Sequence, residues 1–364
     1  MKLLYITTVP TPYKVAFFEE LGKLCDLTVF FENKEVSYRE KGWMITEFHN
    51  FHAYFLKGIN VKDKKISFEV CRFIKAKKYD KIIVSVYSTI TQMIGQEYMR
   101  KQKIDYVISS DGGMIKEDSK LAYIIKKHFI ESASAWLSTG EVTTEYLTHY
   151  GADPARVFVY PFTSISEKDV LVRADTQLKK TEFRTQLGIK DESMVVSVGQ
   201  FIHRKGFDVL IQAGSKLKNT GIYIIGGSPT NEYLDLCKKC GADNIHFVKF
   251  KNRDELSVYY RASDCFVLPT REDIWGLVVN EAMAYGLPVI TTNKCVAGLE
   301  MIDDGENGRI VSADSIDDLY CAMKSMIDKL SISREMMSEA CLRKAREYTF
   351  ENMAQKHIEI LNRI

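Results

Sequence analysis

Two carboxylates, Asp273 and Glu281, flank Gly276 in a stretch of mixed character, DCFVLPTREDIWGLVVNEAMAYGLPVITTN, residues 264–293. The apolar runs CFVLP (265–269) and LPVITT (287–292) read as parallel strands covered on both faces. Between them a helix is expected to start near Gly276 and to stop at Gly286, where glycine supplies the left-handed residue that ends helices. The backbone N–H groups of Gly276, Leu277 and Val278 would then leave a helix N-terminus at the carboxyl edge of a sheet, a place a diphosphate fits. Gly276 permits close approach to the backbone, and Glu281 would lie roughly 7.5 Å along the helix axis. Acids beside such a site are suited to hold hydroxyls, as on a sugar or a ribose. The residue types alone equally allow a surface glutamate on an amphipathic helix and an aspartate that caps it.

A second cluster lies upstream. The strand MVVSVG (194–199) runs into the loop QFIHRKG and a helix over 206–217, which puts Arg204 and Lys205 on that loop. Arginine meets phosphate as a fork and lysine as a point charge. The loops after strands 221–227 and 245–250 carry Gly226 with Gly227, and Phe250 through Arg253. Asp111, at the end of strand 106–111 and followed by Gly112 and Gly113, has the position of a cleft residue.

Taken together, D-I-W-G-L-V-V-N-E-A-M-A-Y-G-L-P-V and V-G-x-x-x-x-R-K-G-x-D-x-L-I resemble the two donor motifs of glycosyltransferase family 4. The resemblance is strong over about 190–312 and topological over the first 160 residues. It implies a GT-B architecture: α/β, with two Rossmann-like domains whose parallel sheets face across a cleft. The expected domains are 1–163 for the acceptor, with helix 350–364 crossing back, and 164–349 for the nucleotide-sugar. By the same resemblance Asp273 contacts the donor sugar and Glu281 the nucleotide ribose. Arg204 and Lys205 neutralise the leaving diphosphate beside Gly199, Gly226, Gly276, Leu277 and Val278, and Phe250 and Arg253 lie next to the base. Thr11 and Tyr13 face the acceptor, where Asp111 stands in place of the family's usual histidine, and Glu300 keeps its usual acidic place. Asp273 replaces the family's usual Glu, and Gln200 stands where an additional Arg is common. The implied reaction is retaining transfer from a UDP-sugar, preferred to a GDP-sugar, to a saccharide or lipid-linked acceptor, with no cofactor. The chain has no Asp-x-Asp, so no metal is expected to hold the diphosphate. A nucleotide-sugar epimerase or hydrolase, or a non-catalytic sugar-nucleotide or membrane-binding partner, are the competing readings.

The remaining sequence must position these groups. A length of 364 residues with 46% apolar content allows two full-sized cores, and a net charge of +2 implies no nucleic-acid partner. Strands at 2–9, 26–32, 82–87, 106–111, 135–140 and 157–162 alternate with helices near 13–24, 67–77, 89–101, 119–131 and 142–149, the rhythm of a parallel sheet. PTPY at 10–13 has no glycine-rich phosphate loop, so the N-terminal half is not a dinucleotide site. The aromatic alternation over 40–60 suggests a hairpin, and His49 and His52 within it read as ordinary packed or surface residues. Nine Lys or Arg against three acids over 57–81 suit either an anionic membrane surface or a solvated face over a core helix. Eight cysteines at irregular positions and a start without an apolar leader suggest a cytoplasmic chain, peripheral at most; Cys237 and Cys240 read as two positions on a helix.

Overall fold

In the computed structural model, residues 1–34, 47–61, 64–76, 78–85, 88–329 and 331–364 are described. The chain divides into two compact units, Met1–Thr163 with Thr349–Ile364, and Ser164–Tyr348. The first begins β1 (Lys2–Thr7), α1 (Pro12–Gly22), β2 (Asp26–Phe31), β3 (His52–Phe55), β4 (Ile59–Val61), β5 (Lys64–Ile66) and α2 (Glu69–Ala76). It continues β6 (Lys81–Val84), α3 (Ile90–Gln102), β7 (Val107–Ser109), α4 (Lys120–Ile130), β8 (Ala135–Ser138), α5 (Glu141–His149) and β9 (Val157–Val159). The sheet runs β3-β2-β1-β6-β7-β8-β9 with every pairing parallel. Strands such as LLYIT and LTVFF are apolar without alternation because both faces of the sheet are covered, and their residues are buried throughout.

Residues 47–60, the described part of the segment 40–60, differ from the expected hairpin. Residues 40–46 lie outside the described residues, and His52–Phe55 is a parallel edge strand on β2. The hairpin that does form is β4 with β5, paired Ile59 to Ile66. Alternating burial suits a one-sided edge strand as well as a hairpin, and alternation carries no information about partner direction. In the basic stretch, Lys62, Asp63 and Lys77 lie outside the described residues. There α2 turns Val70 and Ile74 into the core, and Phe73 packs on Phe30 and Tyr54, so most of its apolar side is used in folding.

The second unit comprises α6 (Gln177–Gln186), β10 (Ser193–Val198), α7 (Phe207–Gly214), β11 (Thr220–Ile225), α8 (Asn231–Cys240), β12 (Ile245–Val248), α9 (Arg253–Ala262) and β13 (Cys265–Leu268). It continues α10 (Leu277–Ala284), β14 (Val289–Thr292), α11 (Val296–Met301), β15 (Gly308–Val311), α12 (Ile316–Ile327) and α13 (Ser331–Glu347). Its sheet is again parallel, in the order β12-β11-β10-β13-β14-β15. The chain therefore winds outward from β10 to β12, then returns to the other side of β10 and winds outward again. Between β10 and β13 the connections diverge, which opens a crevice at the carboxyl ends of those two strands. Their amino ends are tied by Asp264, whose Oδ2 accepts from Arg184 Nη2 at 2.7 Å and from the Met194 N–H at 2.8 Å. Cys237 and Cys240 sit on α8 as free thiols.

Helix α14 (Phe350–Leu361) rejoins the first unit and packs along α1. His357 is buried between Phe17, with ring centroids 4.8 Å apart, and Tyr160, at 4.6 Å, and its Nδ1 lies 2.8 Å from the Met353 carbonyl. Burial holds its imidazole down, to about 4. The fold thus favours the neutral ring: this stability is fully present above the ordinary histidine value and is lost as pH falls toward about 4. The loss is at most about 3 kcal/mol. Amide hydrogen exchange in α1 and α14 should therefore accelerate as pH falls through that window, after correction for intrinsic exchange, and His357→Phe should flatten the dependence. Equal slopes for parent and variant would contradict it.

Candidate active site

The crevice between β10 and β13 collects residues that are far apart in sequence. Beyond β10 the loop passes through a short helical turn, His203–Lys205, that ends on Gly206 at φ +68°. The Lys205 stem lies over Gly199, where an added Cβ would come 3.3 Å from its Cε. Its Nζ donates to Asp273 Oδ2 at 2.6 Å. Arg204 lies 3.5 Å from Asp273 Oδ1 and donates to the Glu272 carbonyl at 2.7 Å. Asp273 is only 8% exposed and does not cap α10; it is held between two cations.

Helix α10 follows Gly276, which stands at φ +106° and offers no side-chain cap, so the first N–H groups of the helix have no side-chain partner from Gly276. A Cβ at Gly276 would lie 2.8 Å from Cys295 Sγ, so glycine is needed there for packing as well as for its dihedral. Leu277 and Val278 are half-buried in the first turn. Glu281, on the same helix, accepts from Ser164 Oγ at 3.1 Å and from the Tyr260 hydroxyl at 3.3 Å. Burial pushes its carboxyl up, while those hydrogen bonds and the charge of Arg253 pull it back. Arg253 opens α9 and pairs with Asp169 at 2.5 Å, and Phe250 is exposed beside it. Gly226 is needed for packing, whatever ligand approaches it. A Cβ there would fall 1.8 Å from the Gly199 carbonyl oxygen, so its role is to let the β10 and β11 loops touch.

Several supports carry no local signal in the sequence. Arg271 grips Asp208 with both terminal nitrogens, at 2.8 and 2.6 Å, and reaches Asp314 through Nε at 2.6 Å and the His203 carbonyl at 2.7 Å. Its own N–H donates to the Arg204 carbonyl at 2.8 Å, which ties the two site loops together. The segment 294–297 anchors the loop from the other side: the Asp273 N–H donates to the Lys294 carbonyl at 2.8 Å and the Ala297 N–H to the Trp275 carbonyl at 2.8 Å. Trp275 is buried and donates from Nε1 to Asn280 Oδ1 at 2.9 Å.

The expected acceptor residues lie in the other unit. Asp111 and Tyr13 line a small pocket together with Tyr5, Lys14, Phe162 and Thr163. Lys14, which sequence reasoning missed, stands 3.5 Å from Asp111 and donates to Thr7 Oγ1 at 3.1 Å; Tyr13 meets the Phe162 ring edge-on. Thr11 does not line this pocket. It is 2% exposed, and its Oγ1 has no hydrogen-bond partner among the described residues.

Residues 179–343 match the family model "Glycosyl transferases group 1". An uncharacterized glycosyltransferase of Methanocaldococcus jannaschii is 25% identical over 303 residues, 78% of this chain and 75% of that protein. The D-inositol 3-phosphate glycosyltransferase of Corynebacterium aurimucosum is 28% identical over 242 residues, 62% of this chain, which spans 56% of that enzyme's length. The crystal structure of Anabaena HepE in complex with UDP has a similar fold, with a TM-score of 0.79 at 14% identity over the whole of both chains. The fold is that of GT-B proteins, and with the matched domain it supports a glycosyltransferase of that type.

The Arg271 clamp makes a direct test of the site's construction. Removing the guanidinium leaves Asp208 partly desolvated and without its fork, so Arg271→Met should lower stability by about 1–2 kcal/mol in urea unfolding. Adding Asp208→Asn should recover part of that loss, with non-additivity of about 0.5 kcal/mol or more. Purely additive effects would show that the clamp does not couple the loops.

Proposed function

We propose that this chain is a retaining glycosyltransferase of family 4 that moves a sugar from a UDP-sugar to a saccharide or lipid-linked acceptor without a metal. The observation that supports it most is the convergence of Arg204 and Lys205 on Asp273 ahead of the start of α10. A diphosphate entering there would meet two cations and a helix N-terminus worth about half a positive charge. As Lys205 turns to the phosphate, Asp273 becomes able to accept from hydroxyls of the donor sugar. Glu281 would take the ribose hydroxyls; Ser164 and Tyr260 already orient its carboxylate. Phe250 and Arg253 would flank the base. In front-face transfer the glycosidic bond to the diphosphate breaks and the acceptor oxygen bonds to the same face of the anomeric carbon. The departing phosphate oxygen takes the acceptor's proton, and Arg204 and Lys205 stabilise the charge that develops on it. Asp111 would orient the acceptor hydroxyl. The matched family model covers the donor motifs, and HepE, of similar fold, is also known in complex with UDP-glucose.

The test is the initial rate of transfer from a screened UDP-sugar, with and without excess chelator. The parent should keep its rate in chelator. Arg204→Ala and Lys205→Ala should each lose roughly 30- to several-thousand-fold, because a desolvated phosphate charge loses its partner at about 2–5 kcal/mol. Glu281→Gln should weaken turnover by at least about tenfold without loss of fold. Activity abolished by chelator and restored by manganese, with both cation variants near the parental rate, would overturn the proposal.

A further inference from the structure

Asp273 is an anion that the chain itself supplies to the two cations of the crevice. Its Oδ2 accepts from Lys205 Nζ at 2.6 Å, and its Oδ1 lies 3.5 Å from Arg204 Nη1. The carboxylate has little freedom to leave them, because its backbone is pinned on both sides. The Asp273 N–H donates to the Lys294 carbonyl at 2.8 Å, and the Asp273 carbonyl accepts from the Val296 N–H at 3.1 Å. Arg204 is pinned as well: Nη1 donates to the Glu272 carbonyl at 2.7 Å, and its own carbonyl accepts from the Arg271 N–H at 2.8 Å. The side chains of Lys205 and Asp273 are only 12% and 11% exposed, so water replaces a lost partner poorly at either one. Glu281, the other acid of the site, pairs instead with the hydroxyls of Ser164 and Tyr260.

A ligand that draws Lys205 onto its diphosphate leaves Asp273 short of a partner unless the ligand brings one. A donor sugar brings hydroxyls, which donate to a carboxylate. A nucleoside diphosphate without its sugar brings none at that end, and its terminal phosphate carries an additional ionisable oxygen that the carboxylate repels. We propose that Asp273 sets the preference of the crevice for a sugar-bearing nucleotide over the free nucleoside diphosphate. It does so by competing with the diphosphate for Lys205 and Arg204 until a sugar hydroxyl engages the carboxylate, so the discrimination comes from a charge left unpaired by the wrong ligand. After transfer the same competition favours departure of the nucleoside diphosphate. This inference rests on the donor reading of the crevice given above.

The experiment is titration calorimetry of the full chain with UDP, for the parent and for Asp273→Asn. The amide keeps the shape and removes the charge, so UDP should bind the variant about tenfold more tightly or better. Damage to the site would lower affinity, not raise it. Glu281→Gln removes the other acid and should weaken UDP binding; an equal gain in both variants would mark a general effect of lost negative charge and overturn the proposal. Should Asp273→Asn fail to fold, judged by circular dichroism, Asp273→Ser carries the test with the same expected gain. UDP binding to the parent that is unchanged or weaker in the folded variant overturns the proposal and leaves the donor reading standing. Absence of UDP binding to parent and variant alike overturns both.

Discussion

In a sheet whose strands all run one way, every loop that follows a strand emerges on the same edge, and the reversal of winding between β10 and β13 leaves two of those loops with nothing between them. The rest of the candidate site depends on that constraint. It places the loop with Arg204 and Lys205 against the loop with Asp273, although 68 residues separate Lys205 from Asp273. Asp264 fixes the opposite ends of the same two strands through Arg184 and the Met194 N–H. Removal of one partner from a buried pair of this kind leaves a desolvated charge behind, so it holds the strands in register more firmly than an exposed pair would.

Within the crevice, electrostatics and packing do separate jobs. Asp273 sits between cations and Glu281 is held by two hydroxyls, so neither acid needs to relax far before it can meet a ligand. The loops themselves are set by close contacts: Gly226 against the Gly199 carbonyl, Gly276 against Cys295, and Trp275 on Asn280. Arg271 then bridges the loops through Asp208 and the His203 carbonyl. A site pre-formed in this way loses little on ordering when its ligand arrives.

Much of this was legible in the sequence, because it is local. A strand, a loop with Asp273, a helix opened by Gly276 and closed by Gly286 at φ +69° follow from short-range rules, and the helix with its αL stop is present as expected. What was not legible is whatever depends on direction or on distant partners. The Arg271–Asp208 fork spans 63 residues and leaves no pattern in either segment. Alternation at 52–55 marked a strand without saying that it would pair parallel to β2. In the helix expected at 119–131, Lys126 is drawn inward by Asp118 and Tyr150 and His128 meets Glu97, contacts that nothing in the helix's own sequence indicates. Periodicity shows that a helix has two faces; which one the core takes is decided by the partners that the fold supplies. For the same reason the sequence shows Gly226 as a place of close approach without showing that the Gly199 carbonyl is one of its neighbours.

In the proposed function the phosphate-bearing donor binds in the crevice between β10 and β13. Amide hydrogen exchange of the whole chain with and without UDP tests it most directly, because it needs neither an acceptor nor a known sugar. Exchange should slow in 199–207 and 270–282, on the loops that carry Arg204, Lys205, Asp273 and the start of α10. Protection confined to other segments, with those two unchanged at saturating UDP, would contradict it.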